Sequence, residues 1–165
     1  MSQSIQFDTD TDKAERYQQL IPQIEALVSG ENNFIANCSN VMAALKEAFD
    51  FLWIGCYFVD DEELVLGPFQ GPVACTRIAK GKGVCGTSWA NREIILVPDV
   101  DAFEGHIACS SDSRSEIVLP IIGRNEEVVG VLDVDSEKLE NFDLIDLEQL
   151  GKIADLLGRI YNHEA

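Results

Sequence analysis

The spacing of hydrophobic residues changes character near residue 50. Before it, Tyr17, Leu20, Ile21, Ile24, Leu27 and Val28 recur at helical spacing, which predicts an amphipathic helix with one buried stripe. Asp12 with Glu15 three positions on is a helix-start pattern, and Gly30 suits the stop. Pro22 falls inside this stretch and is expected to kink the helix or mark a boundary, because proline lacks the N–H and crowds the preceding turn. A second helix is predicted over 33–49, with Ile35, Cys38, Met42, Leu45 and Phe49 on one stripe. Cys38 there reads as core packing, the usual place of a free cysteine.

Beyond residue 50 the period falls to two, the alternation of a pleated strand. Strands are expected over 51–59, 63–69, 73–78, 93–97, 116–122 and 127–135, with a short helix over 81–91. The first strand sets Leu52, Ile54, Cys56 and Phe58 on one face and Trp53, Gly55 and Tyr57 on the other. Asp60-Asp61-Glu62 turns the chain, Gly71-Pro72 breaks it, and Pro98 closes the fourth strand. Residues 99–115 form a long loop of small and polar residues, and such a loop inside a compact domain is usually functional. Asp143 caps a last helix bearing Leu144, Leu147, Leu150, Ile153, Ala154, Leu157 and Ile160. Gly151 and Gly158 on that helix leave room for close approach, in a homodimer or within the chain. This order predicts an α+β fold, an antiparallel six-stranded sheet with long helices packed on one face. The chain reads as one domain over 12–162 behind a loosely ordered segment, 1–11.

Composition narrows the function. The 165 residues are 46% hydrophobic, enough for a core without staples, and 12 basic against 29 acidic residues give a net charge of −17. That charge argues against nucleic acid, which requires clustered Lys and Arg, and against an anionic membrane surface. No apolar run is long enough to span a bilayer, and the first residues lack a basic start followed by an apolar stretch. A cytoplasmic protein is expected.

The last hairpin concentrates acid. Counted back from a loop at Arg124-Asn125, Ile122 pairs with Glu127 and Glu116 falls opposite Asp133, with Asp135 on the same face. Val118, Val129 and Val131 share that face; Ile117, Leu119, Ile121, Val128, Leu132 and Val134 form the opposite, core stripe. A solvated outer face would dilute the repulsion of three acids. Beside valines and the aromatic face of Trp53 and Tyr57, the cluster suits instead a small cation such as an α-ammonium group. It also suits a carboxyl kept protonated as a general acid.

The five cysteines are Cys38, Cys56, Cys75, Cys85 and Cys109. An odd number without a C-x-x-C pair, in a reducing compartment, argues against a disulfide framework and a zinc ribbon. Cys75, Cys85 and Cys109 stand among small residues that leave room around sulfur, with Arg77, Lys80, Lys82 and His106 near in sequence as groups that lower a thiol pKa. His106, Cys109, Cys75 and Cys85 could together bind structural zinc, a rival reading.

Three runs carry a family resemblance: Glu63-Leu64-Val65-Leu66-Gly67-Pro68-Phe69-Gln70-Gly71-Pro72-Val73-Ala74-Cys75, Gly81-Lys82-Gly83-Val84-Cys85-Gly86-Thr87, and Gly105-His106-Ile107-Ala108-Cys109 on through Ser115 to Pro120. They resemble the free methionine-(R)-sulfoxide reductases, which are single GAF domains. Ser110 departs from the pattern, standing where many relatives carry Asp. The resemblance implies a ligand pocket under loops on the sheet face away from the long helices. It implies Cys109 as nucleophile, Cys75 as resolving thiol and Cys85 as its substitute or relay. Glu116 would protonate the sulfoxide oxygen, Asp133 and Asp135 would hold the α-ammonium, and Trp53 and Tyr57 would complete the substrate site. Free methionine-(R)-sulfoxide would be the substrate, thioredoxin or another dithiol the external reductant, with no cofactor and no metal. The other rival is a GAF module that senses a small ligand without consuming it.

Overall fold

The structure is a computed structural model that describes residues 4–161. Two helices lead, α1 (Lys13–Val28) and α2 (Phe34–Ala48). Strands β1 (Trp53–Asp60), β2 (Glu63–Gln70) and β3 (Arg77–Ala79) follow, then α3 (Gly83–Asn91) and β4 (Ile95–Val97). A 3₁₀ turn at Val100–Ala102 precedes β5 (Ser115–Ile122), β6 (Val128–Ser136) and α4 (Leu144–Tyr161). The six strands form one antiparallel sheet in the order β3-β2-β1-β6-β5-β4. The α+β reading and the six-stranded antiparallel sheet therefore hold.

Local chemistry sets the helix ends. The Asp12 carboxylate accepts the Glu15 amide at 2.9 Å and Asn33 does the same for Ala36, each satisfying an amide that the first turn leaves without a partner. Asp143 accepts the amides of Ile145 and Asp146 ahead of α4. Pro22 ends nothing. The helix runs through it, with Tyr17, Leu20, Ile24 and Val28 buried on both sides of the ring.

The sheet separates two apolar clusters. On one face Ile54, Cys56, Ile117, Leu119, Ile121, Leu132 and Val134 meet α1, α2 and α4. On the other Trp53, Tyr57, Val118 and Val131 meet Val84, Cys85 and Trp89 of α3. Cys38 and Cys56 are buried in the helix-side core.

Three expectations need correction. The strand expected over 73–78 is only Arg77–Ala79, because residues 71–76 run as loop after Gly71-Pro72. Likewise the first strand starts at Trp53, so Leu52 packs on the α3 side rather than with Ile54. The largest change is in the hairpin. Gly123 N bonds Glu127 O across a loop whose last residue, Glu126, has φ 60°, which adds one residue to the turn. A bulge between Ile121 and Ile122 adds another, since Ile122 pairs with Val128 but Ile121 with Gly130. Glu116 therefore lies opposite Asp135, and Val118 opposite Asp133. A slip of two preserves parity, so the three acids still share a face. Within the bulge Val128 and Val129 exchange sides, Val129 entering the helix-side core.

The two glycines of α4 differ. A Cβ at Gly158 would collide with the backbone oxygen of Ile122, whereas one at Gly151 would meet nothing within 4 Å. Gly158 thus serves packing within the chain. Ahead of α1, the segment expected to be loosely ordered lies along the helix: Gln6 N donates to Gln23 Oε1 and Asp8 N to Gln19 Oε1. Ile5 and Phe7 pack, partly buried, against the core. Residues 1–3 of that segment, and the expected boundary at 162, lie outside the described residues.

Candidate active site

The sheet face opposite the long helices bears a cavity. Period-two alternation delivers its floor. Trp53 and Tyr57 rise from β1, Glu116 from β5, and Asp133 and Asp135 from β6. Gly55 gives the indole its place, since a Cβ there would strike Trp53 and Phe69. Trp53 stacks on Phe69 at 5.3 Å and on Tyr57 at 5.9 Å, and its Nε1 donates to Pro72 O. The Tyr57 hydroxyl donates to Cys75 O at 2.9 Å, so both aromatics also brace the loop that carries Cys75. One wall is the first turn of α3, Gly83, Val84 and Cys85, which has no side-chain cap. Val73 and Ala74 face His106, Ile107, Cys109 and Ser110 across the cavity mouth.

The acids form a buried group. Glu116 and Asp133 are 5% and 7% exposed, and Asp135 is half-buried. Removing a carboxylate from water disfavours its charged form. Burial first, and then the charge of Asp135, hold both Glu116 and Asp133 well above the ordinary carboxylate range. One carboxylate oxygen of each lies within 4.8 Å of the other, and a proton on either removes the repulsion between them. Asp135 is pushed up to about 6 by burial, while the Ser113 hydroxyl, donating at 2.6 Å, and His106 pull the other way. His106 Nε2 lies 3.5 Å from Glu116 Oε2. Asp133 Oδ1 is buried with no hydrogen-bond partner among the described residues.

The cysteines divide. Cys75 and Cys109 form a disulfide, 34 residues apart in sequence with Cα atoms 5.4 Å apart, each half-buried at the mouth. Cys85 is a free thiol deeper in, its sulfur within 4.8 Å of a carboxylate oxygen of Asp133; burial, then the charges of Asp133 and Glu116, push it well above its usual range. With Cys75 and Cys109 joined to each other, they are not free to ligate the structural zinc of the rival reading.

The structure thus brings Cys109, Cys85, Glu116, Asp133, Asp135, Trp53 and Tyr57 to one cavity, with Cys75 bonded to Cys109 at its edge. Three contributors escaped the sequence reading. Ser113 orients Asp135 from 22 residues away, with no periodicity to mark it. His106 was read as a neighbour of a thiol and lies instead against Glu116. The open first turn of α3 had a signal in Gly81-Lys82-Gly83, but nothing in the sequence aimed it at the acids.

Comparison with known proteins bears on the whole chain. A model of the GAF domain matches residues 38–160. GAF domain-containing protein A of Dictyostelium discoideum is 61% identical over 146 residues, 88% of this chain and 92% of that protein. The free methionine-R-sulfoxide reductase of Saccharomyces cerevisiae is 40% identical over 163 residues, 94% of this chain and 91% of the yeast protein. The X-ray structure of free methionine-R-sulfoxide reductase from Neisseria meningitidis, in complex with its substrate, superposes with a TM-score of 0.93 at 49% identity, over 97% of this chain and 96% of that one.

Proposed function

The chain belongs to the GAF-domain family of free methionine-R-sulfoxide reductases, and from that membership we propose that it reduces free L-methionine-(R)-S-oxide to methionine in the cavity described above. One observation carries the reading: a Cys75–Cys109 disulfide stands at the mouth of a cavity whose floor holds three acids, two of them buried together.

A free amino acid has an ammonium and a carboxylate on one carbon. Asp133 and Asp135 take the ammonium, which supplies the partner that Asp133 Oδ1 lacks. The uncapped first turn of α3 takes the carboxylate, because its N–H groups and dipole favour an anion. The methyl group packs on Trp53. An ammonium beside Asp133 favours its ionised form, and a proton held by the pair then resides on Glu116. That proton goes to the sulfoxide oxygen as the Cys109 thiolate attacks sulfur. The S–O bond breaks, methionine leaves, and Cys109 holds the oxygen as sulfenic acid. The Cys75 thiol displaces it as water and closes the disulfide. Thioredoxin or another dithiol then returns two electrons and two protons by exchange. Cys85, held protonated, is the weaker resolving thiol. No cofactor is required, since the electrons pass through sulfur alone. No helix among the described residues is long and apolar enough to cross a membrane, and the cytoplasm, where dithiol reductants are kept reduced, suits the cycle.

The deciding assay incubates the reduced chain with the R and S diastereomers of free methionine sulfoxide and dithiothreitol and measures methionine. Methionine is expected from the R form alone. A chain that binds the sulfoxide and returns it unchanged would be a ligand sensor.

A further inference from the structure

Asp133, Glu116 and Cys85 make a second kind of donor set. One ligand atom from each, a thiol sulfur and two carboxylate oxygens, lie within 4.8 Å of one another, and all three side chains are buried. All three line the cavity, so an ion can enter from solvent. The independent sign is Asp133 Oδ1, on a side chain 7% exposed and without a hydrogen-bond partner among the described residues. Such an atom destabilises the fold when left unpaired, and a cation supplies what it lacks.

The sulfur decides which cation. Carboxylates alone suit magnesium or calcium, whereas a thiolate beside carboxylates selects a borderline-soft divalent ion. Three protein ligands with a fourth position open to water is a common zinc arrangement. Tetrahedral zinc with bonds of about 2.0–2.3 Å sets its ligand atoms roughly 3.3–3.7 Å apart, so the set draws inward by no more than about 1.5 Å. His106, against Glu116, is placed to orient that carboxylate from outside the ligand set. We infer that Cys85, Glu116 and Asp133 form a binding site for Zn²⁺. The ion occupies the position of the substrate ammonium and engages the proton-donating carboxyl, so it inhibits reduction; that consequence alone rests on the proposed function.

The test uses the metal-free chain with its Cys75–Cys109 disulfide closed, which removes both of those thiols as ligands. Co²⁺ serves as the spectroscopic probe and Zn²⁺ as its competitor. Expected are one Co²⁺ per chain, a near-ultraviolet thiolate-to-cobalt charge-transfer band, and displacement by Zn²⁺. Cys85→Ala and Cys85→Ser should both remove the band, with far-ultraviolet circular dichroism confirming the fold. Asp133→Asn should weaken Zn²⁺ binding by roughly 10-fold or more. Cys38→Ala, on the other side of the sheet, should change neither. No band, a band that survives loss of Cys85, or unchanged Zn²⁺ affinity in Asp133→Asn overturns the site. L-methionine should raise the Co²⁺ concentration needed for half-saturation. Indifference to L-methionine with the band intact supports the ion site and refutes the placement of the ammonium.

Discussion

Glu116 is the side chain on which the proposed chemistry turns, and its burial against Asp133 makes the claim testable. Glu116→Gln keeps the shape and removes the transferable proton. It should lower kcat by about 10²- to 10⁴-fold with little change in KM; a change confined to KM would move the acid elsewhere. The thiols separate by stoichiometry. Cys109→Ser should abolish turnover with any reductant, whereas Cys75→Ser should release one methionine per chain in a rapid first phase, accumulate a sulfenic acid and lose most thioredoxin-coupled turnover. Mass spectrometry of the quenched protein distinguishes the two. Asp135 links the site to stability. Its folded pKa, about 6, exceeds the unfolded value, so the native state holds the proton more tightly. Stability therefore falls as pH rises from about 4 to 6 and stays low above it. Asp135→Asn should raise the unfolding free energy obtained from urea titration at pH 8 by up to about 3 kcal/mol, and leave it unchanged near pH 3. Residue types and alternation made the acids and thiols legible in the sequence. Ser113 was not, because only the assembled sheet brings it to Asp135.

At the scale of elements, the hairpin shows what periodicity determines and what it leaves open. Alternation assigns each residue to a face, so Glu116, Asp133 and Asp135 come together although their cross-strand partners were misassigned by two. Turn length and the bulge depend on Glu126 adopting positive φ and on Val129 entering the core. No local pattern announces either. The 73–78 stretch failed for a related reason: four of its six residues are hydrophobic, yet bonding to β2 begins only with the Thr76 carbonyl and Arg77. The same scale separates the glycines of α4. Gly158→Ala should destabilise the fold by about 1–3 kcal/mol through collision with the β5 backbone. Gly151→Ala, into open space, should stabilise it by about 0.5–1 kcal/mol. Urea unfolding of the pair checks both signs.

For the molecule as a whole, the sheet divides the work. The helix side holds most of the large buried apolar residues, and the other side can then carry buried acids at a cost to stability. The leading segment belongs to the helix side. Removing residues 1–11 should lower stability by about 1–3 kcal/mol, from the lost burial of Ile5 and Phe7, while leaving the cavity and its activity intact. Thermal unfolding and the sulfoxide assay on the truncated chain test this together.

The disulfide joins two loops that flank the same mouth, one carrying Val73 and Ala74, the other His106 and Ile107. Under the proposed cycle each turnover therefore ends with the entrance clasped, and the next amino acid waits on electrons from outside. The proportion of clasped to open chains would then act as a ledger of how far oxidant supply outruns reductant.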